Sequence, residues 1–273
     1  MIGVNRISKL IELVLRTAYL VGEKPVSLAL VSDRPESGKT QMIKQFDKNK
    51  KIGFVTDATA FGIWRDFKDK LENNQVNHLL FPDFLTAISR QRATVDSLIT
   101  TLNPLIEEGL AELHTGFLKP LKITSPHPIG IILAMIKAPF DKNKANWEGN
   151  GFLSRLLVCS YKYSDSTVKE IFISILNGEY RGESAINIKF PDSNIEVNCS
   201  IEHGAHIVSL MNRIITKDSE IAVYGFRMLK DMRRLAMANA LIDGRDYVNS
   251  NDVEMVETLC FHLNEEYREI GSL

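Results

Sequence analysis

Residues 26–46 read VSLALVSDRPESGKTQMIKQF, and the other elements of the chain can be placed around them. The stretch begins with a short apolar run over residues 26–31, which predicts a buried β-strand. Polar and turn-forming residues follow over 33–38, and Lys39 then opens a segment with helical character that extends to about Phe46. A strand, a turn and a helix in this order predict the first unit of an α/β protein.

The turn between this strand and this helix has the form of a phosphate-binding loop. The residues DRPESGKT match the pattern G-x-x-x-x-G-K-[ST], except that Asp33 stands at the first glycine. Backbone N–H groups at a helix start are unpaired, and the helix dipole favours an anion there. Gly38 lets the backbone approach a phosphate, Lys39 is expected to meet the β- and γ-phosphates, and Thr40 is expected to bind Mg²⁺. The residues expected to contact the nucleotide are Asp33, Pro35, Glu36, Ser37, Gly38, Lys39, Thr40 and Gln41.

The composition indicates an ordinary soluble globular protein. A formal net charge of −1 gives no general attraction to nucleic acid or to an anionic membrane. No apolar run reaches ~18 residues, and the start of the chain lacks the apolar core of a signal peptide, so we expect no membrane association. The three cysteines lie far apart, which is typical of a reducing cytoplasm. His203 and His206 are spaced H-x-x-H, but without a third ligand nearby a helix-surface role is favoured over a metal site.

Strands alternate with helices through the first part of the chain. Helices are predicted over residues 5–20, 63–71 and 95–108, strands over 52–56, 76–81, 129–136 and 156–161, and a hairpin over 110–124. The alternation predicts a parallel sheet with helices on both faces, in which ligands bind at the carboxyl ends of the strands. The phosphate loop, Asp83 and Lys137 all follow strands, so we expect them at this edge.

The last third of the chain has a different, mainly helical character. Helices are predicted over residues 167–176, 202–216, 223–242 and 251–268, with a short hairpin over 186–199. Ser250 or Asn251 is expected to cap the last helix, with Glu254 closing a capping box. The sequence therefore predicts two domains, an α/β core with an N-terminal helix over residues 1–164 and a smaller, mainly helical lid over residues 165–273.

The order of strand, phosphate loop, Asp-ended strand, helix, hairpin and further strand resembles the AAA+ ATPases. It is similar to the branch with a hairpin before the sensor-1 strand, which includes MoxR-type, MCM and RuvB-like proteins. The segment LIEEGLAELHTG over 105–116 resembles the turn that leads into this hairpin, and GRDYV over 244–248, followed by Asp252-Val253, resembles a MoxR-like lid. The resemblance covers nearly the whole chain, although residues 177–200 are unexplained by it.

The resemblance implies roles for individual residues. Asp83 would hold Mg²⁺ together with Thr40, although a helix cap after the strand is the alternative. Lys137 falls at the polar sensor position, where asparagine or threonine is usual. Arg155, in NGFLSRLLV, takes the position of the arginine finger that reaches the γ-phosphate of a neighbouring subunit, the alternative being a surface salt bridge. Arg227 falls on the sensor-2 arginine, which reaches the γ-phosphate from the lid.

The hairpin over 110–124 is the candidate substrate-facing element, because the corresponding hairpin in these proteins projects toward a central pore. His114, Phe117 and Lys119 mix charge and aromatic character, as a loop that follows a nucleic-acid strand does. A plain surface hairpin is an equal alternative.

The resemblance implies a cytoplasmic ring, expected as a hexamer, that uses ATP and Mg²⁺ to remodel or load a partner. DNA or a DNA-bound protein is the expected partner, by analogy with replication and helicase loading. A nucleotide-dependent scaffold or switch with little hydrolysis is the alternative, because Asp33, Phe84 and Lys137 depart from the working pattern. A third possibility is an interaction module that binds no nucleotide.

Overall fold

The computed structural model describes residues 3–56, 58–115, 118–179, 185–215, 225–260 and 268–270. The helices in this part of the chain are α1 (Asn5–Arg16), α2 (Lys39–Lys44), α3 (Ala60–Glu72), α4 (Phe84–Ile88), α5 (Arg92–Glu107), α6 (Lys137–Gly149), α7 (Asp165–Leu176), α8 (Ile201–Ile215), α9 (Phe226–Ile242) and α10 (Ser250–Cys260). The strands are β1 (Leu28–Ser32), β2 (Ile52–Phe54), β3 (His78–Phe81), β4 (Glu112–Thr115), β5 (Leu118–Lys122), β6 (Gly130–Ile136), β7 (Leu157–Tyr163) and β8 (Arg268–Ile270).

The predicted parallel sheet is confirmed. Five strands follow the order β2-β3-β6-β1-β7, each parallel to its neighbours, and β8 adds in parallel beside β7. Such a sheet, flanked by helices, is compatible with a phosphate-loop core. The predicted hairpin is also present, with β4 and β5 pairing antiparallel as a separate two-stranded sheet.

Helices cover both faces of the sheet, and the side chains of the strands divide between them with a period of two. Leu28 and Leu30 of β1 belong to one buried apolar cluster, while Ala29 and Val31 belong to the other. The first cluster also contains residues of α1, α2, α8, α9 and α10, and the second contains residues of α3, α4, α5 and α6. Both faces of the sheet are buried, which explains why the strand sequences are continuous apolar runs.

α8, α9 and α10 pack on one another, and α9 and α10 also pack against α1. Their buried residues belong to the same cluster as one face of the sheet, so this part of the chain shares a core with the strands. α7 contributes only the buried Thr167. The division into domains 1–164 and 165–273 stays a prediction.

The predicted hairpin over 186–199 is wrong. These residues form no strand and bond to distant parts of the chain: Ile186 N–H donates to Gln45 O at 2.8 Å, and Ile195 N–H donates to Tyr19 O at 2.8 Å. The alternating apolar residues enter the core separately, since Phe190 stacks on Tyr19 with ring centroids 4.9 Å apart. Alternation therefore reflects burial against other elements, not pairing within the segment.

Three further differences concern helices. α4 follows β3 after two residues and α6 follows β6 directly, and neither matches a predicted helix, because α4 has only five residues and α6 buries only Phe140 and Trp147. The last helix is described only to Cys260, and residues 268–270 form β8, so the prediction of a helix to residue 268 is wrong. Asn249 is its cap, since Asn249 Oδ1 accepts from Asp252 N–H at 3.2 Å and Asp252 Oδ2 accepts from Asn249 N–H at 2.8 Å.

His78 and Gly130 fix the spacing of the central strands at their amino ends. Nε2 of the fully buried His78 donates to Val26 O at 3.2 Å, crossing over Gly130, and burial lowers the pKa of His78 to about 4. A Cβ on Gly130 would lie 2.3 Å from His78 Nε2 and 2.6 Å from Val26 O. Only glycine fits between this ring and this backbone.

We therefore expect Gly130→Ala to lower the free energy of unfolding by about 3 kcal/mol through overpacking. Urea denaturation measures the change. Gly204→Ala in α8 is the matched control, because a Cβ there meets nothing within 4 Å and should raise stability by up to about 1 kcal/mol. Equal urea midpoints for the two variants would contradict the expectation.

Candidate functional site

The carboxyl edge of the sheet brings several predicted site residues to one place. The loop over 33–38 follows β1, Asp83 follows β3 after one residue, and Lys137 follows β6 directly. These strands lie side by side in the sheet. Because parallel strands share their carboxyl edge, the three segments meet there, as ligand-binding residues do in open α/β sheets.

The loop after β1 turns through two left-handed residues. Glu36 has φ of 59° and Gly38 has φ of 77°, whereas Asp33 does not have positive φ. Asp33 stands where the phosphate-loop pattern has its first glycine. Its backbone conformation does not require glycine in this chain. The Ser37 carbonyl accepts from the hydroxyls of Tyr161 and Tyr163, both at 3.0 Å, which ties the loop to the end of β7.

Lys39 points back into the loop. Its ammonium donates to Ser37 Oγ at 2.8 Å, to Arg34 O at 3.2 Å, and to Ser32 Oγ. Burial lowers the pKa of Lys39 to about 8, against the opposing effects of Asp33 and Asp83. All three partners are neutral, so the charge of Lys39 is solvated by the loop but not neutralised at short range.

Thr40 and Asp83 are linked through the end of β3. Thr40 Oγ1 donates to Pro82 O at 3.1 Å, and Asp83 caps α4 by accepting from Leu85 N–H at 3.1 Å. The predicted alternative role of Asp83 as a helix cap is therefore present, and its carboxylate also acts electrostatically on Lys39. Phe84, the next residue, is fully buried in an aromatic group with Phe81, Trp147 and Phe152, which explains why no acidic side chain stands there.

The remaining predicted nucleotide contacts and the sensor residue are more exposed. Asp33 lies 3.6 Å from the Arg34 guanidinium, and Pro35, Glu36 and Gln41 are exposed. Lys137 begins α6 and pairs with Asp141 at 2.8 Å. No group of three or more His, Cys, Asp or Glu side chains within the described ranges is arranged to hold a metal ion.

Arg155 and Arg227 lie together at the opposite edge of the sheet. Arg155 ends a 3₁₀ turn just before β7, and Arg227 Nη1 donates to Ser154 Oγ at 2.8 Å. Both arginines approach Glu107 Oε2, at 3.4 Å from Arg155 Nε and 3.3 Å from Arg227 Nη2. The five residues of β1, at ~3.3 Å each, put roughly 15 Å between this edge and the loop over 33–38. The structure does not bring Arg227 to the loop over 33–38 of its own chain.

For the hairpin, the structure describes the two strands but not their side chains along 113–121. Phe117 lies outside the described residues, and so do the side chains of His114 and Lys119. Their substrate-facing role stays a prediction.

The GRDYV segment has a clear structural task. Arg245 Nη1 and Nη2 donate to the two oxygens of the buried Asp252, both at 2.8 Å, and Asn239 donates to the same carboxylate at 2.7 Å. Burial raises the pKa of Asp252, but the hydrogen bonds from Arg245 and Asn249 outweigh this and lower it. These hydrogen bonds stabilise the turn between α9 and α10.

Sequence reasoning missed four residues that shape these two edges. Tyr161 and Tyr163 hold the loop over 33–38, and Lys24 and Glu107 contact each other beside the arginines at the other edge. Two tyrosines in alternate positions at the end of a predicted strand were a usable signal, because they share a face. Nothing in the sequence signals that Lys24 contacts Glu107, since 83 positions separate them.

No protein-family model matches this chain, and no curated protein sequence matches it either. No helix in the described segments is long and apolar enough to cross a membrane.

The lowered pKa of Lys39 makes stability depend on pH. Between pH 8 and 10.5 the folded chain loses this proton before the unfolded chain does, so stability rises with pH in that window. At pH 7 the charge costs about 2 kcal/mol after allowance for solvent screening. We expect Lys39→Met to raise the free energy of unfolding at pH 7 by about this amount and to remove the rise.

Urea denaturation at pH 7 and pH 10 measures both effects. Lys44→Met is the control, because Lys44 is exposed at the other end of α2 and its loss should change little. A Lys39→Met variant as stable as Lys44→Met at both pH values would contradict the prediction.

Proposed function

We propose that this chain is an ATP-binding protein of the AAA+ type that acts as an oligomeric ATPase. The observation that carries the proposal is the meeting of Lys39, Thr40 and Asp83 at the carboxyl edge of a parallel sheet. Thr40 touches the residue before Asp83, and Asp83 acts electrostatically on Lys39. A cation, a hydroxyl and a carboxylate at the end of β1 are the groups that a phosphate chain with Mg²⁺ requires.

In this proposal the loop would exchange its internal contacts for phosphate oxygens. Lys39 would leave the hydroxyls of Ser32 and Ser37 and the Arg34 carbonyl, which are neutral acceptors and compete weakly with an anion. The N–H groups of Lys39, Thr40 and Gln41 lie in the first turn of α2, where no earlier carbonyl can accept them. Thr40 and Asp83 would supply oxygen ligands to Mg²⁺, which is commonly held by one or two protein oxygens with phosphate and water.

Arg155 and Arg227 would act on a nucleotide bound to another subunit. Both lie at the amino edge, away from the phosphate loop of their own chain, and Arg227 contacts Ser154 beside Arg155. A ring, expected as a hexamer, would place this edge against a neighbour's nucleotide. A role for Arg227 in its own subunit would need α9 to move.

The client would be a nucleic acid or a protein, with DNA or a DNA-bound protein favoured by the resemblance, and the β4–β5 hairpin would contact it.

A specific observation favours the second candidate, a nucleotide-dependent scaffold or switch that hydrolyses ATP slowly. Phe84 is committed to the aromatic core, and Lys137 is paired with Asp141. Neither Phe84 nor Lys137 can therefore act as a base that orients the attacking water.

Binding of a fluorescent ATP analogue with Mg²⁺ tests the phosphate loop. We expect saturable binding that Lys39→Ala weakens at least tenfold, because Lys39 supplies the only buried cation at this edge among the described residues. Asp83→Ala should retain binding but lose steady-state phosphate release. Lys44→Ala is the control. If Lys39→Ala binds the analogue as tightly as the wild type, the proposal of nucleotide binding is refuted. If the wild type releases phosphate no faster than Asp83→Ala, the ATPase is excluded and the nucleotide-dependent scaffold or switch is favoured.

Mixing experiments test Arg155. Arg155→Ala subunits should bind ATP normally, yet should lower hydrolysis by wild-type subunits more than in proportion to their fraction. Arg65→Ala is the control, since Arg65 is an exposed arginine that pairs with Asp66 on α3. Full activity of a homogeneous Arg155→Ala preparation would exclude the role in trans.

A further inference from the structure

The amino edge of the sheet holds a cavity of about 110 Å³ that is strongly cationic. On the same measure a single water molecule needs about 10–15 Å³, so the cavity can hold a group larger than water. Five cationic side chains line it against two carboxylates, Glu107 and Asp231; the cations are Lys24, Arg155, Arg227, Lys230 and Arg234. The lining therefore carries an excess of three positive charges, although the chain as a whole has a net charge of −1.

The two carboxylates have different tasks. Asp231 is committed to Arg234, whose Nη1 lies 2.7 Å away, and Arg234 also donates to Glu23 at 2.8 Å. These groups form a closed structural network. Glu107 stands alone among the other cations: Oε1 accepts from Lys24 at 2.9 Å, and Oε2 faces both Arg155 and Arg227.

Glu107 satisfies the two arginines poorly. Its Oε2 lies 3.4 Å from Arg155 Nε and 3.3 Å from Arg227 Nη2, longer than the 2.7–2.9 Å typical of charge-assisted hydrogen bonds. Arg155 Nε is buried and makes no hydrogen bond within the described part of the chain. The described residues also place no carboxylate within ion-pair distance of Lys230. One carboxylate oxygen is thus shared by two guanidinium groups, each of which could donate further hydrogen bonds.

We propose that this cavity is an oxyanion site for a phosphate or phosphoryl group, and that the Glu107 carboxylate in its wall competes with the anion for Arg155 and Arg227. A tetrahedral dianion has enough acceptors to meet Arg155, Arg227 and Lys230 at once, and guanidinium groups match phosphate with paired hydrogen bonds. Its binding requires the Glu107 carboxylate to withdraw toward Lys24 or solvent, and Glu107 is half-exposed. A free phosphate could bind here whether or not the loop over 33–38 binds a nucleotide.

Glu107→Gln tests the competition, because it keeps the size of the side chain and removes its charge. Inorganic phosphate is the probe, with isothermal titration and thermal stabilisation as readouts, and every variant carries Lys39→Ala so that the phosphate loop does not report. We expect phosphate affinity to rise about tenfold in Glu107→Gln. Adding Arg155→Ala should abolish the gain. Glu108→Gln, at the exposed next residue, is the matched control and should behave as the parent.

A second probe, a non-hydrolysable ATP analogue on the chain with Lys39 intact, identifies the source of the anion. If Glu107→Gln raises the affinity for inorganic phosphate at concentrations where the chain sediments as a monomer, the ligand of the cavity is a free oxyanion. A Glu107→Gln effect confined to the analogue, with association of subunits, assigns the terminal phosphate of another copy's nucleotide. Equal response of the parent, Glu107→Gln and Glu108→Gln to both probes overturns the inference. If Glu107→Gln is poorly folded, Glu107→Asp replaces it. A phosphate affinity that is unchanged both in Glu107→Asp and in Arg155→Ala overturns the inference equally.

Discussion

β1 lies between β6 and β7, and both proposed sites depend on its backbone hydrogen bonds to these neighbours. The register aligns Ser32 with Tyr161 at the carboxyl end and Leu28 with Leu157 at the amino end. Tyr161 therefore reaches the loop over 33–38, while Arg155, two residues before Leu157, lies beside the segment that leads into β1. A slip of one residue would send every side chain of β7 to the other face and would disrupt both edges.

At each end of β1, cationic side chains are held by acceptors of the same chain, but the acceptors differ in charge. Lys39 donates to hydroxyls and a carbonyl, and burial lowers its pKa. Arg155 and Arg227 share a carboxylate, and the pKa of Glu107 is lowered by the hydrogen bond from Lys24 and by the arginines themselves. Neutral acceptors yield readily to an anion, whereas a carboxylate competes with it. On the two proposals above, an anion at the carboxyl edge would displace neutral acceptors, whereas an anion at the amino edge would have to displace Glu107.

Much of the fold was predictable because its local signals agree with its tertiary environment. The apolar runs of β1, β3, β6 and β7 are buried on both faces, so their hydrophobicity alone marked them. α1 and α5 have the 3.6-residue apolar spacing of helices with one buried side. The predictions failed where an apolar pattern had a different cause. Residues 186–199 alternate because single side chains enter the core, and α4 begins with an apolar residue that joins the aromatic group around Trp147.

The local chemistry of the loop after β1, with its glycine, lysine and threonine at a strand-to-helix turn, was legible in the sequence because it depends on neighbouring residues. So was the turn containing Arg245, although its bonds to Asp252 show it to be a structural lock. The distribution of charge between the two edges was decided by packing. Lys24, Glu107, Arg155 and Arg227 come from four distant segments, and only the sheet register together with the docking of α9 near the end of α5 brings them together. Such a cluster leaves no spacing signal, because its members are neighbours in space alone.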